Sequence, residues 1–282
     1  MKTLLFRTVF PYNYGMDLQK TLNTAVAIAK EAGALLREGF GQNKNIINKS
    51  SSIDLVTQYD QDAEKLITTR LIMAFPNHRI VGEEGGEQAD QTSTYVWYVD
   101  PIDGTTNFAH GFPHFCVSMA LYAAETPLVG IVYDPVKDEL FTAVAGFGAQ
   151  LTTGDGFPKQ IQVSQAPDLL NSVIATGFPY DRQTSSLNNM EQLGRMLPKV
   201  QGIRRTGSAA LDLAYVAAGR QDGYWEFKLK IWDVAAGVLL IKEAGGRVTM
   251  VDGTPFKPDP VMHLASSNYH IHKEMIATLK GE

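Results

Sequence analysis

The segment DPIDGTT, residues 100–106, decides how this sequence is interpreted. The apolar run before it predicts a buried strand that leads directly into acidic residues. Pro101 has no backbone N–H group and a fixed φ, so the chain can turn at this point. The carboxylates of Asp100 and Asp103 and the carbonyl of Ile102 can then face one point. This segment therefore predicts a cluster of oxygen ligands at the end of a strand.

Gly104 and Thr105 follow these ligands and are suited to bind an anion. Glycine allows close approach of the backbone, and a helix that opens at Thr105 would direct free N–H groups at a phosphate. Carboxylate and carbonyl oxygens favour Mg²⁺ or Mn²⁺ over zinc. A metal beside a phosphate site predicts phosphoryl chemistry, in which two ions roughly 3.5–4 Å apart polarise the phosphate and lower the pKa of a bound water.

Three more acidic residues, Asp60, Glu83 and Asp233, lie where a strand or loop meets a predicted helix. Each alone has a simpler interpretation: Glu83 as part of an acidic surface turn, and the two aspartates as N-caps of their helices. The Asp-Gly pair at residues 103–104 alone would be an ordinary turn. Capping and metal binding are compatible, because a side chain at a helix N-terminus faces the place where an anion and its metals would lie.

Zinc and disulfide chemistry are disfavoured. Cys116 is the only cysteine, so neither an internal disulfide nor a paired-cysteine zinc site can form, and a reducing compartment, the cytoplasm, is expected. His110 and His114 are four residues apart, but Pro113 lies between them and would interrupt a helix. We therefore predict no zinc site at these histidines.

The charge and hydrophobicity of the chain bear on its partners. Its 282 residues include 25 basic and 30 acidic side chains, which gives a formal net charge of −5. Surfaces that bind nucleic acids are usually rich in Lys and Arg, so a dedicated nucleic-acid-binding protein is disfavoured. No apolar stretch reaches the roughly 18 residues of a membrane helix, so we expect no membrane span.

The periodicity of apolar residues indicates an α+β protein. Predicted helices cover residues 18–36, 60–74, 187–197, 208–218 and 234–244. Predicted strands cover residues 53–57, 79–81, 95–99, 116–123, 127–133, 139–144, 149–153, 161–163, 173–176, 225–227, 247–251 and 254–256. Because the strands lack regular βαβ spacing, we predict one domain over residues 16–282, with halves at about 16–165 and 166–282. Residues 1–15 are interpreted as an N-terminal extension.

Three motifs together resemble the inositol monophosphatase family, within the superfamily of Mg²⁺-dependent, Li⁺-inhibited phosphatases that includes fructose-1,6-bisphosphatase. They are GEE at residues 82–84, DPIDGTTNF at 100–108 and WDVAAG at 232–237. The resemblance runs from about residue 16 to the C-terminus. It implies a layered αβαβα fold of the sugar-phosphatase type, with mixed or antiparallel sheets between helix pairs. It also implies hydrolysis of a small polyol phosphate, inositol 1-phosphate first, by a metal-activated water.

The resemblance implies a set of metal ligands. Glu83, Asp100 and the Ile102 carbonyl would hold a first Mg²⁺ ion. Asp100, Asp103 and Asp233 would hold a second one, so that Asp100 bridges the two ions. Glu83 would also reach a weaker third ion through water, and Mn²⁺ is a possible substitute for Mg²⁺. The cofactor expected from the resemblance is therefore two or three divalent ions.

The resemblance also implies catalytic and substrate-binding roles. Thr105 and Asp60 would orient and deprotonate the attacking water as a general-base pair, and Glu83 would contribute to catalysis through its metal. The backbone amides of Gly104 and Thr105 would bind the phosphate. Lys49 corresponds to a mobile loop that closes over the site. The residues that would touch the polyol are Ser208, Ala209 and Glu226.

Other phosphatases of the same superfamily remain alternatives: a fructose-1,6-bisphosphatase, a histidinol-phosphatase or a 3′(2′),5′-bisphosphate nucleotidase. They would keep the metal motifs and differ in the wall that faces the polyol, around Arg182, Arg204, Ser208 and Glu226. The Glu226 carboxylate favours a neutral, hydroxyl-rich ring, because it accepts hydroxyl donors and repels a second phosphate.

Two kinds of protein partner are also implied. Relatives are usually dimers, so a homodimer is expected. Some bacterial relatives associate with the transcription machinery, and Arg204 and Arg205 match the neighbourhood involved. Binding to RNA polymerase or an antitermination complex is therefore a second hypothesis, which the net charge of −5 does not favour.

Overall fold

The structure is a computed structural model, and it describes residues 16–42, 46–48, 55–90 and 92–282. The expected extension at residues 1–15 and the expected loop residue Lys49 lie outside the described residues. The helices are α1 (Leu18–Gly39), α2 (Gln58–Ala74), α3 (Thr105–His110), α4 (Met190–Met196), α5 (Ala209–Ala217), α6 (Ile231–Glu243) and α7 (His272–Lys280), with a 3-10 helix at Leu197–Lys199. The strands are β1 (Ile46–Asn48), β2 (Leu55–Thr57), β3 (Arg79–Gly82), β4 (Gly86–Ala89), β5 (Tyr95–Asp103), β6 (Cys116–Ala123), β7 (Thr126–Asp134), β8 (Glu139–Val144), β9 (Gly148–Thr153), β10 (Lys159–Ile161), β11 (Val173–Thr176), β12 (Gly202–Arg204), β13 (Gly223–Leu229), β14 (Arg247–Met250) and β15 (Met262–Ser267).

Two larger sheets organise the fold. The first has eight strands in the order β10-β9-β8-β7-β6-β5-β3-β4, and the second has five in the order β12-β11-β13-β15-β14. β1 and β2 pair separately. Most neighbours are antiparallel, but β3 is parallel to β5, and β11 is parallel to both β12 and β13. Both sheets are therefore mixed, as expected.

Pairs of helices cover the sheets and separate them. α1 and α2 pack on one face of the eight-stranded sheet. α5 and α6 fill the space between the two sheets, and α4 and α7 pack on the outer face of the five-stranded sheet. This order of layers confirms the expected αβαβα architecture. None of the helices in the described ranges is both long and apolar enough to span a membrane.

The alternation of side chains along β6 shows how two cores share one sheet. Val117, Met119 and Leu121 face the core under α1 and α2. Ala120 and Tyr122 face the core that contains α5 and α6. Because both faces of the strand are buried, its sequence is a continuous apolar run rather than an alternating pattern.

Two predicted helix starts are too late, which also changes the role of two acidic residues. α2 begins at Gln58 with Thr57 as its N-cap, so Asp60 is the third residue of the helix and its carboxylate accepts from Thr57 N at 2.7 Å. α6 begins at Ile231, and Asp233 Oδ2 accepts from Lys230 N at 2.7 Å. The prediction that Asp60 and Asp233 are N-caps is wrong, since both lie one turn inward and reach back to the cap.

Two further predictions need correction. The helix predicted at residues 187–197 begins only at Met190, because Asn189 has a φ of +71° and its side chain accepts from Trp225 Nε1 at 2.6 Å. The hairpin predicted with residues 254–256 is reduced to one bridge between Thr249 and Pro255. Proline has no N–H to continue a ladder, and β14 pairs instead with β15.

Candidate active site

A cavity of about 410 Å³ opens where β5 ends. The N-terminal ends of α3, α5 and α6 all contribute to its lining through Thr105, Ala209 and Trp232. The side chains of Glu83, Asp100, Asp103 and Asp233, chosen from separate stretches of the sequence, line this one cavity. Its other acidic lining residues are Asp212 and Glu226. The partial positive charge of helix N-termini is favourable for carboxylates and for a phosphate.

A β-bulge aligns the two aspartates of the central segment. Asp100 pairs with Ser118 and Asp103 pairs with Cys116, so β5 has one more residue than β6 between these pairs. Residues three apart on a regular strand point to opposite faces. The bulge takes up the extra residue and puts both aspartates opposite two residues on the same face of β6. Pro101 lies inside the bulge, where a missing N–H donor has little cost.

Gly104 connects the bulge to α3 in a conformation that requires glycine. Its φ is +99°, and a Cβ at this position would lie 3.1 Å from the carbonyl oxygen of His114 and 3.2 Å from that of Gly207. Asn107 fixes the same corner, since its Nδ2 donates to the carbonyls of His114 at 2.7 Å and Thr206 at 2.8 Å. The backbone before α3 therefore lies directly against the loop that precedes α5.

Asp60 and Thr105 are in direct contact although 45 residues separate them. Thr105 Oγ1 lies 2.9 Å from Asp60 Oδ1 and 3.0 Å from the carbonyl oxygen of Ile102. The other carboxylate oxygen of Asp60 accepts from Thr57 N at 2.7 Å and Thr57 Oγ1 at 2.6 Å. Burial raises the pKa of Asp60, against the lowering effect of these bonds. The pair is buried, and Thr105 lines the cavity.

Glu64 supports the turn that carries Glu83, and the sequence interpretation missed it. Its buried carboxylate accepts from the backbone N–H of Glu84 at 2.7 Å and from that of Gly85. A Cβ at Gly82 would lie 2.6–2.7 Å from the Glu64 carboxylate, so the turn and this side chain are in close contact. One feature of the sequence could have pointed to Glu64. It is four residues after Asp60 and therefore lies on the same face of α2.

The carboxylates of Asp103 and Asp233 are held by neighbouring donors. Asp103 accepts from Ser208 Oγ at 2.6 Å, Ala210 N at 2.6 Å and Ala209 N at 3.2 Å, at the start of α5. Burial raises the pKa of Asp103 despite these bonds. Burial, together with the negative charges of Glu83 and Asp103, raises the pKa of Asp233 well above its ordinary value. The acidic end of the cavity therefore concentrates negative charge.

Residues on α5 and β13 form another part of the cavity lining. Ser208 is the N-cap of α5, and Ala209 and Glu226 also line the cavity. Glu226 is half-buried and not an exposed strand residue: Tyr224 Oη donates to it, and burial raises its pKa to about 7. The expected wall residues Arg182 and Arg204 are not part of the lining. The sequence interpretation missed the lining residues Asp212, Phe178 and Tyr180, whereas Arg205, which it named as a partner contact, also lines the cavity.

The two histidines considered for zinc have unrelated environments. His110 ends α3 and is exposed, whereas His114 is buried against the ring of Tyr215 at a centroid distance of 5.8 Å. Burial lowers the pKa of His114 to about 4.

The sequence model described as "Inositol monophosphatase family" matches residues 17–282. This chain belongs to the inositol monophosphatase family. Membership makes it a phosphatase that acts on small phosphate esters, and dependence on Mg²⁺ is general in the family.

Relatives and solved structures agree with membership of the inositol monophosphatase family. An inositol-1-monophosphatase from Synechocystis sp. is 40% identical over 263 residues, which cover 93% of this chain and 90% of the relative. A protein named Nus factor SuhB from Pseudomonas aeruginosa is 41% identical over 268 residues, which cover 93% and 97% of the two chains. The structure of inositol monophosphatase from Anabaena (Nostoc) sp. superposes with a TM-score of 0.84 at 41% identity, over 94% of this chain and 97% of that chain.

The donor set of the cavity fits the Mg²⁺ ions that the inositol monophosphatase family uses. Its acidic residues supply carboxylate oxygens, the donors that hard divalent ions prefer, and backbone N–H groups hold Asp103 and Asp233 in the way that outer contacts orient ligating side chains. Among the described residues, no three His, Cys, Asp or Glu side chains are already close enough to ligate one ion together.

Proposed function

We propose that this protein is a Mg²⁺-dependent phosphomonoesterase whose first substrate is inositol 1-phosphate. The observation that carries the proposal is the shared cavity, in which Glu83, Asp100, Asp103 and Asp233 lie with Glu226. Four carboxylates suit divalent ions, which in turn would bind the phosphate of the substrate. A further carboxylate suits a hydroxyl-rich leaving group rather than a second anion. The name of the relative from Synechocystis, inositol-1-monophosphatase, supports the same substrate.

The proposed general base is the Asp60–Thr105 pair. Thr105 Oγ1 lies at the cavity wall and Asp60 lies behind it at 2.9 Å. The hydroxyl can accept a hydrogen bond from the attacking water while it passes its own proton to the carboxylate. The raised pKa of Asp60, caused by burial, makes it a better proton acceptor than an exposed aspartate. The pair would orient the water and hold its proton at Asp60 Oδ1.

The proposed metal ligands are Glu83, Asp100, Asp103, Asp233 and the carbonyl of Ile102. Ions held there would lower the pKa of a bound water and neutralise the leaving oxygen. A third, weaker ion reached from Glu83 through water is part of the proposal. The backbone amides of Gly104 and Thr105 would bind the phosphate, and α5 and Glu226 would bind the polyol hydroxyls.

Water is the proposed nucleophile, because the candidate side-chain nucleophiles are engaged or inaccessible. Ser208 Oγ donates to Asp103 Oδ2 at 2.6 Å and caps α5. Cys116 is fully buried, and burial raises the pKa of its thiol well above the ordinary value, so a reactive thiolate is disfavoured. Hydrolysis would therefore proceed without a phosphoenzyme.

Phosphate release from a substrate panel tests this proposal. The panel contains inositol 1-phosphate, fructose 1,6-bisphosphate, histidinol phosphate and adenosine 3′,5′-bisphosphate, each with Mg²⁺, with EDTA and with Mg²⁺ plus Li⁺. We expect the highest kcat/KM for inositol 1-phosphate, no turnover in EDTA and inhibition by Li⁺. A higher kcat/KM for one of the other three esters would replace the proposed substrate, and full activity in EDTA would overturn the metal-dependent mechanism.

A second candidate function is binding to the transcription machinery. The relative named Nus factor SuhB favours it, and Arg204 and Arg205 are both exposed beside β12. We expect RNA polymerase to be retained by the immobilised protein and by its Asp103→Asn variant alike, and less by an Arg204→Ala/Arg205→Ala variant. Equal retention by all three would argue against this surface.

A homodimer remains the expected assembly, and light scattering tests it.

A further inference from the structure

Lys228 has an unfavourable backbone conformation inside a strand that lines the cavity. Its φ is +62°, in the left-handed region. Of the non-glycine residues with positive φ in the described part of the chain, Ala124, Asp138 and Asn189 lie in connections between elements, whereas Lys228 lies within β13. The left-handed conformation is unfavourable for a residue with a Cβ. Contacts made by this lysine must therefore stabilise it there.

A bulge in β13 produces this conformation. Glu226 pairs with Leu264 and Leu229 pairs with Met262, so β13 has one more residue than β15 between the two pairs. The backbone N–H of Lys228 donates to His263 Nδ1 at 3.0 Å. Bulges bend a strand and redirect a side chain. The lysine side chain is thereby available to groups outside its own sheet.

The ammonium group of Lys228 binds the segment that connects β11 to α4. Nζ donates to Asp181 Oδ2 at 2.6 Å and to Ser185 Oγ at 2.7 Å. The side chain of Lys228 is 26% exposed and that of Asp181 is 51% exposed, so the pair is partly shielded from water. We call residues 178–185 the wall segment.

The wall segment forms part of the cavity, and the glycine immediately before it lies against Glu226. Phe178, Pro179 and Tyr180 line the cavity. A Cβ at Gly177, immediately before the segment, would lie only 1.9–2.3 Å from the carboxylate of Glu226. The position of the segment therefore determines the space beside this carboxylate, and Lys228 links the segment to the strand that carries Glu226.

We propose that Lys228 is a positioning residue that fixes the wall segment and thereby sets the affinity for the leaving-group part of the substrate. The inference rests on the proposed function in one respect, the identity of the substrate whose affinity is affected. The link between Lys228 and the wall segment does not depend on catalysis. The ammonium group of Lys228 reaches both Asp181 and Ser185 from this bulge.

Limited trypsin digestion tests the link without any substrate. Arg182 lies in the wall segment, so cleavage after it reports local opening. The variants are Lys228→Gly, which fits a φ of +62°, and Asp181→Asn, which keeps the lysine. The matched control is Lys257→Gly. Lys257 forms an exposed ion pair with Glu125, with an N–O distance of 3.4 Å, and neither residue lines the cavity. The melting temperature of each variant is measured first, to establish that it is folded.

We expect cleavage after Arg182 to accelerate by about threefold to fivefold in Lys228→Gly and in Asp181→Asn, as for loss of one partly shielded ion pair. The double variant should add little, because the two residues share one interaction. Lys257→Gly should match the unsubstituted protein. Unchanged cleavage after Arg182 in Lys228→Gly would overturn the proposal.

Steady-state kinetics then test the effect on substrate. For inositol 1-phosphate we expect the KM of Lys228→Gly to rise by about threefold to fivefold with kcat within twofold, since the reacting groups are untouched. A fall in kcat at constant KM would contradict a role in the wall. If the unsubstituted protein does not hydrolyse inositol 1-phosphate, the proposed substrate fails, while the trypsin result still decides whether Lys228 fixes the segment.

Discussion

Thr105 carries one hydroxyl proton and has two acceptors for it, Asp60 Oδ1 at 2.9 Å and the carbonyl oxygen of Ile102 at 3.0 Å. Donation to Asp60 leaves the oxygen lone pairs of Thr105 free to accept from a water in the cavity. Donation to Ile102 weakens the carbonyl as a metal ligand. The first arrangement suits both the base and the metal site, so this hydroxyl is the atom on which the proposed reaction depends most.

Replacement of Thr105 tests this role at the level of one atom. Thr105→Val keeps the shape and removes the hydroxyl, so we expect kcat to fall by about 10²–10⁴, the range for loss of a general base. Thr105→Ser keeps the hydroxyl and serves as the matched control, with kcat within about tenfold. Equal kcat values for the two variants, measured by phosphate release, would exclude the hydroxyl from the reaction.

His272, the first residue of α7, makes the stability of the folded protein depend on pH. Ser267 Oγ and Thr249 Oγ1 lie 2.8 and 3.0 Å from its ring nitrogens, and burial lowers its pKa to about 4. An unfolded histidine titrates near 6.5, so the unfolded chain binds more protons between these values. The contribution of His272 to the free energy of unfolding is therefore fully present above about pH 6.5. It is lost progressively as the pH drops toward 4.

His272→Gln should remove this dependence, since the amide has a donor and an acceptor but does not titrate. Between pH 7 and pH 4, the free energy of unfolding of the unsubstituted protein should fall by about 3 kcal/mol relative to that of the variant. This follows from the difference between the pKa of His272 in the unfolded chain, about 6.5, and in the folded protein, about 4. Urea denaturation at several pH values measures it. A constant difference between the two proteins would contradict neutral burial of His272.

At the residue scale, the sequence predicted which side chains matter better than how each one is held. Glu83 and Asp233, which the sequence analysis selected, line the cavity, and Asp60 contacts the lining residue Thr105. Their exact helical positions were not predictable, because a capping aspartate and one three residues further on have the same local composition. Glu64 was missed because its role depends on contact with a turn 20 residues later, which no local pattern contains.

At the scale of elements, the contact between β7 and α6 depends on a glycine. A Cβ at Gly130 would lie 2.9 Å from the carbonyl oxygen of Ala236 and 3.4 Å from its Cα, and both are backbone atoms that cannot move independently of α6. Gly194, inside α4, would meet nothing within 4 Å. The same substitution should therefore have opposite effects at the two positions.

Gly130→Ala should lower the free energy of unfolding by about 1–3 kcal/mol, as for overpacking of a core. Gly194→Ala should raise it by about 0.5–1 kcal/mol, because alanine is the better helix former. Thermal or chemical denaturation of both variants provides the comparison. Destabilisation of similar size in both would contradict the packing argument.

Elements with a distinct apolar run were predictable, and several others were not. The bounds of β6, β8 and β11 match the predicted ranges, because each is an apolar run bounded by turn residues. β12 has three residues and half-buried or exposed side chains, so its sequence carries no apolar pattern. β15 and α7 were not assigned from the sequence, although α7 is amphipathic. The strand pairing of β14 depends on distant residues and is a property of the tertiary fold.

At the scale of the whole molecule, divalent ions should stabilise the folded state. The acidic cavity repels itself without a cation, and an ion that binds only the folded protein shifts the equilibrium toward it. At a concentration of about 100 times Kd the gain is about 2.7 kcal/mol, or a rise in melting temperature of about 5–10 °C. Differential scanning fluorimetry of EDTA-treated protein with added Mg²⁺ measures this shift.

Asp103→Asn is the matched variant for that experiment, because it keeps the size of the side chain and removes one charge from the cavity. The shift in melting temperature with Mg²⁺ should become clearly smaller, and kcat should fall by about 10² or more, each factor of ten being 1.4 kcal/mol. Asp62→Asn, on the exposed face of α2, should retain the full shift. Identical shifts in all three proteins would rule out Asp103 as a ligand.

The layered architecture was predictable as a whole because the family resemblance extends over nearly the entire chain, whereas the bulge in β5 was not. The sequence contains Pro101 and Gly104, but which residue of β6 stands opposite each aspartate depends on the pairing of two strands. The convergence of three helix ends on one cavity is likewise a consequence of how the sheets stack.

The two sheets contribute different parts of the cavity, and this division has an evolutionary consequence. Asp100 and Asp103 come from the eight-stranded sheet, whereas Glu226 and the lysine that fixes the wall segment come from the five-stranded sheet. Under the proposed roles of Glu226 and Lys228, mutations in the second sheet would change which alcohol is accepted while the hydrolytic groups stay in place. Paralogues with new substrates can therefore arise from this scaffold by altering one layer and inheriting the other intact.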